Sequence, residues 1–535
     1  IVEHPKSILT LFILAAVFSL FCQRLVRVNY DIKDYLPEKS PSTIALDKME
    51  EEYEGGIPNA RVMIRDTSVA EALEYKEKLE GCPGVVSVTW LDDAANIEQP
   101  LETLDQELAE TYYKNGNALF TVTVEEDQVL DAVEAMEEVA GDRGAMSGDA
   151  VSTAVATTST VSEVYKIAAF AVLFVFFVLF LTTTSWAEPV IVMAGLGIAI
   201  AINAGTNLIF GEISFVTNAA GNILQLAVSL DYSVFLIHRF EECMKTEETP
   251  RKAMVEALCK STSSILSSGL TTVIGFLALV FMQFKIGPDL GLALAKGVTI
   301  SLITVFVFMP VLILALNGWL MKTHHRRLLP DFHRFGFLVR KIMVPMTAVF
   351  ALLVVPSYLA SNQNTFYYGS AYIFGEDTEL GRDIAEIEEI FGKSDTYALM
   401  IPRGDKVREE QLSQALHEIP EVTGILSYVD TVGAQIPEEY LDEELLSQLL
   451  SKDYSRMVLT VNADAEGEEA FALVEKIRET ADTYYPDSWY LAGAGVSTYD
   501  LMDTITADMV KVNLIAIAAV FVVLLFTMKS VSLPV

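Results

Sequence analysis

The sequence predicts a multi-spanning α-helical membrane protein with two external α/β domains of split βαβ type, arranged as a tandem repeat whose second half is incomplete. Three observations predict it. The chain is 52% apolar, and its apolar residues gather in several runs of about 18 residues or more, the length that crosses a bilayer. Two long polar segments, 29–164 and 361–510, interrupt those runs. Residues 148–153 (GDAVST) recur as 493–498 (GAGVST), with Lys166 matching Lys511 and Pro189 matching Pro534 at the same offset.

The first helix lies in 1–28. Its apolar run has no basic cluster before it and no small-residue cleavage site after it, so it reads as a retained span and not as a signal peptide. Further spans are predicted at about 165–183, 189–209, 213–238, 262–283, 290–320, 337–360 and 511–528, eight in all. Residues 165–320 thus form a five-helix bundle segment, and 321–336 a linker. The stretch 239–261, with Thr249-Pro250, Met254 and Leu258, reads as a short amphipathic helix at the cytoplasmic interface.

Charge sets the expected topology. Each polar segment holds about 30 Asp and Glu against about 9 Lys and Arg. Together they carry about −43 of a formal net charge of −35, leaving the rest near +8. Basic residues gather beside helix ends at 239–260, where five Lys and Arg stand against five Glu, and at 322–341, where six stand against one Asp. The positive-inside rule places those loops in the cytoplasm and both acidic domains outside the cell membrane. An acidic surface repels phosphates, so nucleic acid is excluded as a partner.

In the first external domain, 61–64, 85–90 and 118–124 pattern as strands, alternating with helical stretches at 69–79 and 128–139. In the second, the strands fall at 396–401, 422–428 and 456–461, and the helices at 411–417 and 468–480. Strand–helix–strand repeated twice is the split βαβ, ferredoxin-like pattern. Residues 92–115 and 432–453 are helical insertions. Met49 to Gly55 also resembles Ile387 to Gly392, an echo of the repeat. At the repeat offset, residues 529–535 open a second bundle, and the counterpart of Asp231 falls near 576, beyond the last residue. The expectation is a fragment lacking a few initial residues and four final helices, with a natural eight-helix chain as the alternative.

Asp231 is the leading candidate site residue. It lies in the otherwise uncharged stretch 213–237, seven residues, or about 10 Å, inside the end of the fourth helix. A carboxylate there costs roughly 2.5–3.5 kcal/mol even on lenient insertion scales, and such residues face bundle interiors and relay protons or bind ions. Asn218, Asn222, Gln225, Ser229 and Tyr232 share one face of the same helix, with Asp231 about 100° round from Tyr232. His238 lies one heptad nearer the cytoplasm. Small residues in the third helix (Gly195, Gly197, Ala199) allow close packing, with Asn203 and Asn207 following. Ser268 and Thr271 in the fifth helix offer hydroxyls to a carboxylate, and Lys296 in the sixth is expected to snorkel or to pair with one.

No phosphate-binding glycine loop and no Ser/His/Asp or Cys/His constellation is present, so neither nucleotide-driven transport nor hydrolysis is indicated. Four scattered cysteines (Cys22, Cys82, Cys243, Cys259) give no disulfide framework and no metal spacing. No cofactor is called for.

The motif Leu230-Asp231-Tyr232-Ser233-Val234-Phe235-Leu236, followed by His238-Arg239 and Glu241-Glu242, resembles the MMPL-type branch of the resistance–nodulation–division superfamily. So do Gly269-Leu270-Thr271-Thr272-Val273-Ile274-Gly275-Phe276, Leu290 to Leu294 running on to Met309-Pro310, and Asp34-Tyr35-Leu36-Pro37-Glu38. The resemblance implies twelve helices in two halves and βαβ porter domains outside the membrane. It also implies export of lipids, drugs or other hydrophobic compounds in exchange for protons, with Asp-Tyr pairs on the fourth and tenth helices as the relay. Asp231 and Tyr232 match the first pair; Lys296 departs from the small or apolar residue usual in the sixth helix. The expected partners are protons, membrane lipids and a hydrophobic or amphiphilic substrate, with the oligomeric state open. Two other readings fit less of the chain: a SecDF-like accessory of protein secretion, and a lipid-sensing membrane protein that does not pump.

Overall fold

A computed structural model describes residues 3–532, apart from 31–32, 54–55, 98, 105, 126–127, 326–332, 362–373, 376, 432, 434–442 and 465. The chain divides into a helical unit (1–30, 162–366 and 507–535) and an α/β unit (31–161 and 367–506).

The helical unit is built from α1 (Pro5–Gln23), α2 (Asp149–Thr182), α3 (Glu188–Thr206), α4 (Phe215–Met244), α5 (Pro250–Leu277), α6 (Ile286–Ile303, continued by a π-turn at Thr304–Phe308 and by Met309–Lys322), α7 (His333–Ser361) and α8 (Ala494–Met528). Both α2 and α8 begin in the α/β unit. Among the described residues seven helices are long and apolar enough to cross a membrane, and the eighth expected span is the shorter apolar end of α2, Lys166–Thr182. Helices α4, α5 and α6 pack on one another, α3 packs on α4 and α6, and α1 lies along α3. Gly205 explains that last contact: a Cβ there would stand 2.1 Å from the Ser19 carbonyl oxygen. A short parallel pairing of Arg27–Asn29 with Glu212–Ser214 ties the chain after α1 to the start of α4. The core of this unit is apolar: Ile191, Leu196, Leu236, Ile237, Phe240, Val298, Met309 and Ile313 are all buried.

The stretch 239–261 makes no helix of its own: residues to Met244 extend α4, a short turn follows, and Thr249 caps a new helix at Pro250 that runs straight on as α5. The Thr249 hydroxyl accepts the Lys252 N–H and proline occupies the first turn, which together make 249–250 a strong start signal.

Among the described residues the α/β unit contains two sheets. In the first, β1 (Ala60–Ile64), β2 (Val85–Thr89), β3 (Asn117–Val124) and β4 (Gly144–Ser147) lie in the order β2-β3-β1-β4, every neighbouring pair antiparallel. In the second, β5 (Asp395–Pro402), β6 (Val422–Leu426), β7 (Tyr454–Val461) and β8 (Tyr490–Gly493) repeat that order as β6-β7-β5-β8. Helices Val69–Glu80 and Val129–Ala140 connect the strands of the first sheet, and Lys406–His417 and Glu468–Tyr484 those of the second. The alternate side chains Val62, Ile64, Phe120 and Val122 face the first pair of helices; Leu399, Ile401, Met457 and Leu459 are buried in the second core.

Each sheet also receives a helix from the other repeat. Helix Pro41–Glu52, through its own Met49 and the following Tyr53, packs on Ala398 and Met400 of the second sheet. Helix Glu379–Phe391 sets Ile387 against Met63, Leu119 and Ala145 of the first. Polar contacts secure both exchanges. The Arg65 guanidinium donates to both carboxylate oxygens of Glu386 at 2.7 and 2.6 Å. The buried Asp500 carboxylate accepts the Ser42 N–H at 2.7 Å and an Arg478 N–H at 2.8 Å.

Candidate functional site

The site is organised by α4, whose start is set from two sides. The Ser214 hydroxyl accepts the Thr217 N–H at 3.0 Å. Asp289, in the first turn of α6, accepts the Ser214 N–H at 2.8 Å and the Thr217 hydroxyl at 2.6 Å. A cap shared with a neighbouring helix fixes the rotation of α4, and hence which side chains face inward. Gln225, Ser229, Tyr232, Ser233, Leu236 and Ile237 are buried, while Asn218 and Asn222 are half-buried. That is the face expected from the sequence.

Gln225 Nε2 donates to the Gly297 carbonyl and to the Ser301 hydroxyl, both at 3.0 Å, joining α4 to α6. From the other side of α6, the Lys296 ammonium donates to the Asn203 carbonyl (3.1 Å) and to Asn207 Oδ1 (2.5 Å), and lies 5.1 Å from the centre of the Phe210 ring. The ammonium therefore neither snorkels nor finds a carboxylate; amide oxygens of α3 hold it. A Cβ on Gly297 would come within 2.9 Å of Asn203 Nδ2, so that glycine lets α6 approach α3 closely. Three buried oxygens in this region, Gln225 Oε1, Asn203 Oδ1 and Ser229 Oγ, have no hydrogen-bond partner among the described residues. An unmet buried polar atom costs about 1–3 kcal/mol, and such atoms are where proteins hold internal water.

Asp231 departs from expectation: it does not face the interior. It is exposed, in a stripe with Leu224 and Ala227, while its neighbour Tyr232 is buried at 4% exposure in the apolar core. The reason is helical geometry. Tyr232 continues the buried face defined by Gln225 and Ser229, and one residue is about 100° of rotation. The two side chains point apart, and α3, α5 and α6 leave the Asp231 stripe uncovered.

Ser268 and Thr271 are not brought to Asp231. The Thr271 hydroxyl donates to the Ser267 and Ser268 carbonyls of its own helix at 3.2 and 2.7 Å, Thr272 does likewise to Ser268, and Ser268 itself is exposed. His238 is half-buried, with Nε2 enclosed and without a partner among the described residues. Beyond it Arg239 pairs with Glu242 at 2.6 Å.

Sequence reasoning missed three acidic groups here. Asp289 caps α4. Asp508 on α8 is fully buried and accepts the backbone N–H groups of Gln283 (2.5 Å) and Phe284 (2.9 Å), binding a helix of the second repeat to the turn between α5 and α6. Both repeats carry an acidic residue at that offset, Glu163 and Asp508, which is the signal that could have found it. Glu188, the third, opens α3 and is fully buried.

Against known proteins, the family model described as "MMPL family" matches residues 34–345 and 373–535. The Streptomyces coelicolor membrane protein SCO5905 is 24% identical over 348 residues, covering 61% of this chain and 39% of that protein. The Mycobacterium tuberculosis protein named "Probable transport protein MmpL12" is 29% identical over 133 residues, covering 24% of this chain and 12% of the relative. A protein translocase subunit SecD from Desulfurispirillum indicum is 33% identical over 97 residues, or 18% of each chain. The chain thus spans well under half the length of these relatives. With a family model covering most of its residues, and with long apolar helices in the places where the motifs fall, this multi-spanning membrane protein belongs to the MMPL family.

Proposed function

We propose that this chain serves proton-driven export of hydrophobic or amphiphilic molecules across the cell membrane, as a member of the resistance–nodulation–division superfamily. The observation that carries the reading is the Asp231 stripe on α4: a carboxylate in the middle of an apolar helix face that α3, α5 and α6 leave open, beside a buried tyrosine. A charge of that kind calls for a partner surface, and a second half-bundle of matching design would supply it. Asp231 takes a proton from outside and releases it inside; protonation removes the charge and changes the packing between halves. Tyr232 and the polar face of Gln225 and Ser229 line the inner side of that path, with Lys296, Asn203 and Asn207 shaping its electrostatics. The two α/β domains act as external porter domains of ferredoxin-like type; their shared strand order and exchanged helices support that reading.

The test is Asp231→Asn in the full-length protein reconstituted in vesicles with an imposed proton gradient. Substrate efflux should lose its dependence on the gradient, falling by at least tenfold. Full-rate, gradient-dependent efflux in the variant would refute the reading. The similarity to SecD keeps a secretion-accessory reading in play; a dependence of protein secretion, rather than small-molecule efflux, on Asp231 would favour it.

A further inference from the structure

Where α2 ends and α3 begins, the turn 183–188 encloses a carboxyl group. Glu188 is fully buried. Its Oε1 accepts the Thr184 N–H at 3.3 Å and stands 3.1 Å from the Thr184 hydroxyl oxygen. The same hydroxyl is hydrogen-bonded to Glu241 Oε1, from near the end of α4. A threonine hydroxyl carries one hydrogen. It can donate to one carboxyl oxygen and must accept from the other, and a carboxylate has nothing to donate. Both contacts are satisfied together only when one of the two carboxyl groups holds a proton.

A separate observation points the same way. Glu188 Oε2 is buried with no partner among the described residues, and so is the hydroxyl of Thr183, which is 2% exposed. A carboxylate sealed from water with an unmet oxygen, close to a second carboxylate, is a costly arrangement unless a proton is present. Two carboxyl groups sharing one proton is the pattern that such proximity produces.

We propose that Glu188, Thr184 and Glu241 form a proton-binding site that holds one exchangeable proton. Taken as the inner terminal of a relay it rests on the reading of Asp231 above: Asp231, His238 and Glu241 follow one another along α4 at rises of about 10 and 4.5 Å. In the loaded form the Glu241 O–H donates to the Thr184 oxygen, and the Thr184 O–H donates to Glu188 Oε1. On release the Glu241 O–H bond breaks, the proton passes to water at the half-exposed Glu241, and the pair carries two negative charges. The hydroxyl then keeps only one of its two contacts.

The surrounding charged and titratable groups, among the described residues, are His238 and the Arg239–Glu242 pair on α4, Lys322 at the end of α6, and His324 and His325 after it. The His325 N–H donates to the Thr184 carbonyl at 2.8 Å, and its ring lies tilted against Trp186, with centroids 4.3 Å apart. On α5, Lys252 and Lys260 are paired with Glu248 and Glu256.

The experiment is pH-difference infrared spectroscopy of the full-length protein in lipid nanodiscs, carried out in an Asp231→Asn background so that Asp231 contributes no carboxyl signal. One protonated carboxyl per chain should persist at neutral pH, and adding Glu188→Gln or Glu241→Gln should remove it. Absence of that signal in Asp231→Asn alone, or its survival in both double variants, overturns the proposal. The first arm needs neither glutamate variant to fold. Transport by Asp231→Asn is read separately: unimpaired efflux beside the expected carboxyl signal would remove Asp231 from the mechanism and leave the proton site standing.

Discussion

Asp500→Ala should loosen the exchanged helix Pro41–Glu52. That helix has no side-chain cap of its own at Ser40; its first-turn Ser42 N–H is instead taken by Asp500, 458 residues away in the chain. The Ser40 hydroxyl also donates to this carboxylate at 3.2 Å; the carboxylate is 5% exposed, and its charged partner, Arg478, has a side chain 16% exposed. Removing one member of a buried pair costs about 3–5 kcal/mol, because the remaining charge is left without its partner. Arg478 keeps a ring contact with Tyr499 at 5.2 Å and some access to water, which argues for the lower end, about 3 kcal/mol. Asp500→Asn retains an acceptor for Ser42 and loses only the charge, so about half that cost is expected. Hydrogen exchange at the amides of Ser42 to Ala45 reads this local stability without requiring reversible global unfolding. Protection should fall by roughly 100-fold in Asp500→Ala, the factor equivalent to about 3 kcal/mol. A loss below fivefold, or equal losses in the two variants, would refute the argument that a buried charge pair holds the exchange together.

Other expectations follow from the same contacts. Gly205→Leu should disrupt the α1–α3 contact, costing about 3 kcal/mol or more and lowering the thermal unfolding temperature in detergent, because the added Cβ meets backbone that cannot move aside. Lys296→Met should leave stability unchanged or raise it, since a half-buried cation held by neutral oxygens and a ring face, with no carboxylate, is removed, whereas Asn207→Ala should cost about 1–3 kcal/mol by taking away one acceptor of the ammonium. The Arg65–Glu386 clasp should weaken in acid. The hydrogen bond from Arg65 holds the Glu386 carboxyl below its usual value of 4.5, so its stabilising effect is present above that pH and is lost as pH falls through the depressed folded value. Comparing helix Glu379–Phe391 between wild type and Glu386→Gln by hydrogen exchange should give protection that converges on the acid side and differs at neutral pH.

Local pattern makes three strands of each sheet legible, because runs such as Val85–Thr89, Asn117–Val124 and Val422–Leu426 are rich in β-branched residues. The closing strands, Gly144–Ser147 and Tyr490–Gly493, consist of four residues each, mostly small, and no alternation marks them. Neither exchanged helix was recognised, although the repeat around Met49 and Ile387 was visible. Their apolar faces are matched to a surface that the chain supplies hundreds of residues away, and a window of sequence does not contain it. On α4 the inward face was readable from spacing alone, since Gln225, Ser229 and Tyr232 fall at helical intervals. The direction of Asp231 was not. It depends on which sides of α4 the neighbouring helices occupy, and a rule that charged residues face the interior takes that packing for granted. The partners of Lys296 are illegible for a related reason: they are oxygens of Asn203 and Asn207, which only the packing of the end of α3 against α6 brings to it.

The exchanged helices also impose an order in time. The first sheet is complete in sequence at Ser147, yet the helix that covers Met63, Leu119 and Ala145 is not synthesised until Phe391. At roughly 5–20 residues per second, ribosomes leave that apolar face waiting for about 12–50 s while α2 to α7 emerge. Through that interval the nascent protein carries half of a finished surface, open to chaperones and to the wrong partner. A synonymous change that slows translation between residues 148 and 391 would lengthen the exposure without altering a single contact in the final fold.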